Sequence, residues 1–133
     1  MKLICCIDDN GGMMFNRRRQ SRDREVVRDI LESAGGRTVW ISAYSKPLFG
    51  DVANVKETES DPVYIPAEDF YFAETPPNND MLASVSELII YKWNRSYPSD
   101  QKCLIRFDEW KMQSTAEFPG FSHEKITKEI YLK

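Results

Sequence analysis

Residues 3–12 read Leu-Ile-Cys-Cys-Ile-Asp-Asp-Asn-Gly-Gly, five apolar residues without alternation followed by a cluster of turn formers. A strand with one wet face alternates apolar with polar residues. An unbroken apolar run that ends in turn formers fits a strand covered on both faces, and such strands belong to sheets flanked by helices. The covering helix follows. Val26, Val27, Ile30, Leu31 and Ala34 recur at helical spacing, Ser21 is placed to cap the start, and Gly35-Gly36 stops the pattern. Residues 38–43 (TVWISA) are a second short apolar run. Strand, helix and strand in that order predict a βαβ crossover with the two strands parallel.

Between the first strand and the helix, residues 13–20 (MMFNRRRQ) follow neither period and read as an ordered loop. Beyond residue 50, short strand candidates fall at 52–56 and 63–65, and residues 69–73 (DFYFA) are strand-like. After the turn at 76–79, Asp80 is placed to cap a short helix over 81–85. Residues 88–93 (LIIYKW) form a strong strand candidate, and residues 103–107 alternate as another. Residues 110–118 and 126–132 are expected to pair as a closing antiparallel hairpin. No repeat, low-complexity tract or linker interrupts the chain, so a single domain over residues 1–133 is expected.

Composition narrows the function classes. With 41% hydrophobic and 29% charged residues the chain reads as folded rather than disordered. A net charge of −3 argues against general nucleic-acid binding, but residues 17–24 (RRRQSRDR) hold five arginines and one aspartate, so an anionic partner is expected there. The N-terminal apolar run is too short for a secretory leader or a membrane span. A cytoplasmic protein without a membrane partner is expected. Cys5, Cys6 and Cys103 read as free, buried thiols. One histidine and no CxxC spacing give no basis for a metal site.

The C-terminal third supports a more specific comparison. Asp108-Glu109-Trp110, the Glu117-Phe118 strand end, the Ser122-His123 loop and the finish Glu129-Ile130-Tyr131-Leu132-Lys133 resemble the last hairpin of dihydrofolate reductase. At the other end, the first strand, residues 8–12, Phe15-Asn16 and the helix resemble that family's first strand, mobile loop and substrate helix. The resemblance implies a mostly parallel central sheet with a C-terminal antiparallel hairpin, an α/β fold of the dihydrofolate reductase type. With a few residues inserted in the loop, Asp23 matches the family's substrate-binding carboxylate. Two cofactor-gripping motifs are replaced. Ser42-Ala43-Tyr44-Ser45 stands where the family has Gly-Arg-Lys/His-Thr, and Glu74-Thr75-Pro76 stands where it has a Gly-Gly pair. No cofactor is therefore expected. Small bacterial chains similar to this one are also called ribonuclease Z, whose two-metal chemistry needs an HxHxDH motif that a chain with one histidine does not supply.

Candidate site residues cluster after the first strand. Arg17, Arg18, Arg19, Gln20, Ser21 and Asn16 are placed to bind a phosphate or carboxylate through guanidinium forks and the helix N-terminus. The competing reading is a solvated basic face. Asp23 is expected to orient a ligand or to neutralise Arg19 or Arg24. Asp8 and Asp9 resemble a phosphoacceptor or metal pair, although a turn whose carboxylates bond backbone amides explains them better. Trp93, Asn94 and Arg95 at a strand exit suit the stacking of a planar ring, or core packing. His123 could act as a general acid or base, or be an ordinary loop residue. In the resembled fold its loop lies against the loop after the first strand, so His123 is expected near residues 13–21.

Together these residues suggest a protein that binds a small anionic molecule of the nucleotide, pterin or sugar phosphate class near the arginine segment, without NADPH-dependent reduction. The alternatives are an enzyme of unassigned chemistry using Asp23, His123 and the arginine segment, and a nonenzymatic interaction protein.

Overall fold

The first apolar run forms β1 (Lys2–Ile7), and its side chains divide between two apolar layers. Leu3, Cys5 and Ile7 enter one layer and Ile4 the other. This is the period of two expected of a strand covered on both sides. The structure is a computed structural model and describes residues 1–58 and 64–133.

After β1 the chain makes a hairpin of β2 (Gly12–Phe15) and β3 (Arg18–Arg19) and then enters α1 (Arg24–Ala34). Next come β4 (Val39–Ile41), a single-turn α2 (Lys46–Phe49), β5 (Val55–Glu57), β6 (Phe70–Ala73) and α3 (Asn79–Ala83). The chain closes with β7 (Glu87–Lys92), β8 (Gln101–Lys102), β9 (Lys111–Phe118) and β10 (Ile126–Leu132). The main sheet has seven strands in the order β5-β4-β6-β1-β7-β10-β9. All contacts from β5 across to β7 are parallel, while β10 runs antiparallel to both β7 and β9. Leu3 stands opposite Tyr71 on one side and Leu88 on the other, which places β1 at the centre.

α1 covers the Ile4 face with Val26, Ile30 and Ala34. Burying Val26 and Ile30 contributes about 1.5–3 kcal/mol each. The helix stops at Gly35, whose φ of 56° places it in the left-handed region, and whose N–H bonds the Glu32 carbonyl. Without a Cβ that conformation has no steric cost.

Five expectations for local structure are corrected. Residues 13–20 are a hairpin and not a loop. Asn16 and Arg17 turn it with φ of 52° and 62°, the double positive φ that a two-residue hairpin turn needs. The helix cap is Asp23 and not Ser21, because the Asp23 carboxylate accepts from the Glu25 N–H; α1 is accordingly shorter. Residues 103–107 are not a strand. The strand there is β8, which pairs β2 in a separate small sheet ordered β3-β2-β8, and Phe107–Glu109 is a 3-10 turn. The short helix is capped by Asn78, which accepts from Met81 N, and not by Asp80. Of the candidates at 52–56 and 63–65, the first shrinks to β5, Val63 lies outside the described residues, and Tyr64 and Ile65 are not in a strand. Among the described residues no helix is long and apolar enough to cross a membrane, and no group of three or more His, Cys, Asp or Glu side chains could hold a metal ion. The three cysteines are free, as expected, but only Cys5 is buried; Cys6 and Cys103 are partly exposed.

Candidate functional site

β1 delivers Asp8 to its carboxyl end, where the chain must leave the sheet. Asp8 is buried, and its carboxylate accepts from Asn10 N at 2.9 Å, Gly12 N at 2.7 Å, Tyr97 N at 3.0 Å and Gln20 Nε2 at 3.2 Å. Burial opposes its ionisation, yet these bonds outweigh burial and hold the carboxyl below its usual range. Asp8 thus ties the turn, the β2–β3 hairpin and the 97–98 segment into one knot. Asp9 is exposed outside it.

A second knot lies at the N-terminus of α1. The Asp23 carboxylate accepts from the backbone N–H groups of Glu25 (2.9 Å), Phe121 (2.9 Å) and Ser122 (2.8 Å), and from His123 Nδ1 at 2.9 Å. Burial again opposes the charge. The bond from Phe121, then those from His123, Glu25 and Ser122, bring the carboxyl below its usual range. Gly120 lets the loop approach this closely, since a Cβ there would lie 2.6 Å from Asp23 Oδ2 and 2.8 Å from the His123 carbonyl. The expected ion pair of Asp23 with Arg19 or Arg24 is corrected: its partner is His123.

With a carboxylate at Nδ1 that nitrogen carries the proton, which leaves Nε2 as acceptor. Two hydroxyls face Nε2, Ser21 Oγ and Tyr97 Oη, each at 2.9 Å. The imidazole stacks on Trp93 with centroids 4.7 Å apart and planes 20° from parallel. His123 is 3% exposed, so it is neither a surface loop residue nor, as its sequence position suggests, outside the core.

Ser21, Asp23 and Trp93 line a narrow cleft of about 30 Å³ between α1 and the ends of β1 and β6. Its floor and walls are Cys6, Met13, Val26, Val27, Ile30, Leu48, Phe72 and Ala73, and Arg19, Arg22 and Glu74 complete it. Arg19 forks onto Glu74 with Nε–Oε1 at 2.8 Å and Nη2–Oε2 at 3.0 Å. It also donates to the Tyr44 carbonyl and lies 4.4 Å from the Tyr44 ring centroid. Glu74 and Tyr44 raise the Arg19 pKa against the effect of burial, which tends to lower it, and Arg19 stays a cation with its charge met.

The arginine segment is therefore dispersed. Arg19 and Arg22 reach the cleft, Arg24 packs 3.5 Å from the Phe121 ring centroid, and Arg17 and Arg18 are exposed on the hairpin. Arg18, Asn16 and Gln20 face a separate groove with Tyr97 and Pro98. Asn94 bonds Lys125 O and Thr127 Oγ1, and Arg95 is exposed; only Trp93 of that triplet joins the cleft. Sequence reasoning left out Leu48, Phe72, Val26 and Val27 as cleft walls and did not pair Glu74 with Arg19. An unpaired glutamate directly after a strand was the available signal.

A solved structure decides the architecture. Dihydrofolate reductase from Enterococcus faecalis, complexed with NADP(H) and RAB-propyl, superposes with a TM-score of 0.69 over 98% of this chain and 94% of that one, at 10% identity. The fold is dihydrofolate reductase-like. No family model matches the chain, and no curated protein matches it by sequence. The dihydrofolate reductase-like frame places the cleft where open α/β sheets hold ligands, beyond the carboxyl ends of parallel strands. The fold itself assigns no chemistry.

Proposed function

We propose that the protein binds a small anionic molecule of the nucleotide, pterin or sugar phosphate class in this cleft, and does not carry out NADPH-dependent reduction. The observation that supports binding is the cleft's composition. An apolar slot walled by Val26, Val27, Leu48 and Phe72 opens beside Arg22, an exposed cation whose charge no carboxylate in the cleft wall takes up as Glu74 takes up that of Arg19. Apolar walls with a few convergent polar groups suit a planar or sugar-like body with one charged end.

NADPH fits the residues poorly. Where the family grips a cofactor phosphate, Ala43–Ser45 forms a 3-10 turn without a guanidinium of its own, and Tyr44 is committed to Arg19. Beyond β6, Glu74 stands in place of a glycine pair and holds Arg19 in a bidentate ion pair, so that cation is not free to meet a pyrophosphate.

Trp93 lines the cleft and gives a direct readout. Titration with nucleotides, pterins and sugar phosphates is expected to change tryptophan fluorescence for at least one class, with affinity weakened by salt and by Arg22→Ala. NADPH is expected to show no micromolar binding. Flat titrations for all three classes would overturn the binding reading, and micromolar NADPH affinity would overturn the other half.

A further inference from the structure

The cleft contains an arrangement that ligand binding does not use. Ser21 Oγ, His123 Nε2, His123 Nδ1 and Asp23 Oδ2 form a continuous relay with both links at 2.9 Å. Asp23 is immobilised by three backbone N–H groups and His123 by the face of Trp93, so the imidazole cannot turn away. The buried end of the relay is the carboxylate and the open end is the serine, which lines the cleft and is partly exposed. These are the roles of an activated nucleophile, a general base and an orienting carboxylate, and they are recognised by geometry and not by chain order.

We propose that Ser21 is a nucleophile activated by His123, with Asp23 as the positioning residue, and that the protein hydrolyses small esters bearing an anionic group. In the first step Ser21 Oγ bonds to the ester carbonyl carbon, its proton passes to His123 Nε2, and the carbonyl π pair moves onto oxygen. The C–O bond to the leaving alcohol then breaks, the alkoxide takes the proton from Nε2, and Ser21 is left acylated. Water repeats the sequence: its proton goes to Nε2, its oxygen bonds to the acyl carbon, and the Ser21 Oγ–C bond breaks as Oγ recovers the proton. No redox partner is needed.

Arg22, on the wall of the same cleft, supplies positive charge for the ester's anionic group. Tyr97 gives the relay a particular signature. Nε2 has one lone pair, and the Tyr97 hydroxyl competes for it with Ser21 at the same distance. Removing that hydroxyl leaves Ser21 as the sole donor and is expected to accelerate acylation, which a purely structural Ser–His–Asp link does not predict. The inference rests on the binding reading for a cleft that admits a small molecule and for Arg22 as its anion contact.

The test uses the full chain, a fluorophosphonate probe, and p-nitrophenyl hemisuccinate beside its neutral butyrate analogue. One adduct is expected, mapped to Ser21, absent in Ser21→Ala, formed faster in Tyr97→Phe and slowed about 100-fold in His123→Gln. The anionic ester is expected to turn over faster than the neutral one. A folded wild-type protein that neither labels nor turns over ester overturns the proposal, as does an adduct on another residue or a rate indifferent to Tyr97→Phe. If His123→Gln does not fold, Ser21→Ala and Tyr97→Phe decide. Fluorescence titration of the wild-type protein reads anion binding separately, so failure of labelling with binding intact removes the hydrolase alone, and labelling without anion binding removes the binding reading and the anionic substrate but leaves Ser21 as the nucleophile.

Discussion

Asp23 and His123 are a hundred positions apart in the chain, and each would be uncomfortable without the other. Asp23→Ala leaves a buried imidazole N–H and three partly buried amides without their acceptor and is expected to lower stability by about 2–4 kcal/mol, measured by urea unfolding. Gly120→Ala is expected to cost about 1–3 kcal/mol in the same assay, since its methyl would meet the Asp23 carboxylate and the His123 backbone. Both Asp8 and Asp23 have folded-state pKa values below the ordinary carboxylate range. Their contribution is fully present above the unfolded value of about 4 and is lost as pH falls through the folded values. Urea midpoints followed from about pH 6 to about pH 3 are expected to fall, and Asp8→Asn to flatten part of that fall. Unchanged midpoints would contradict it. The letters at 21–23 and 122–123 were legible as polar groups at a helix start and in a loop. Their mutual bonding was not, because local pattern does not show which distant amide or imidazole will satisfy a buried carboxylate.

The elements with a clear apolar signal are the ones the structure holds: α1 by its helical spacing, and β1, β6 and β7 by unbroken apolar runs covered on both faces. Those it missed depend on backbone dihedrals or on partners remote in sequence. The β2–β3 turn lacks the Asn-Gly signal, since Arg17 occupies a left-handed position where glycine is preferred. Arg17→Gly is therefore expected to raise stability by about 0.5–1 kcal/mol without altering the cleft, whereas Gly35→Ala, at the helix stop, is expected to lower it by about 1 kcal/mol. Thermal unfolding of the two variants checks the opposite signs. Residues 103–107 alternate convincingly, but the ladder to β2 ends with Lys102 and the Cys103 N–H bond to Gly11, and the chain then enters the 3-10 turn at 107–109.

At the scale of the molecule, 10% identity to a solved reductase coexists with a shared course of the chain because layered burial constrains hydrophobic spacing far more than residue identity. The shared layers enclose the thiols. Burial pushes Cys5, Cys6 and Cys103 up in pKa, so their thiolates are scarce in the folded protein. Ellman's reagent is expected to reach the fully buried Cys5 only as fast as the protein unfolds, and to reach Cys6, which lines the cleft, sooner; rapid native-state reaction of Cys5 would show the sheet to be looser than described. One further property follows from β10 lying between β7 and β9. During synthesis the chain emerges in order, and β7, with Leu88 to Tyr91 all buried in the finished sheet, must wait with one edge bare until residues 126–132 leave the ribosome. Nascent chains stalled before that point would present an apolar ribbon open to mispairing, the kind of surface that chaperones hold, and β7 is covered on both edges only once β10 is made.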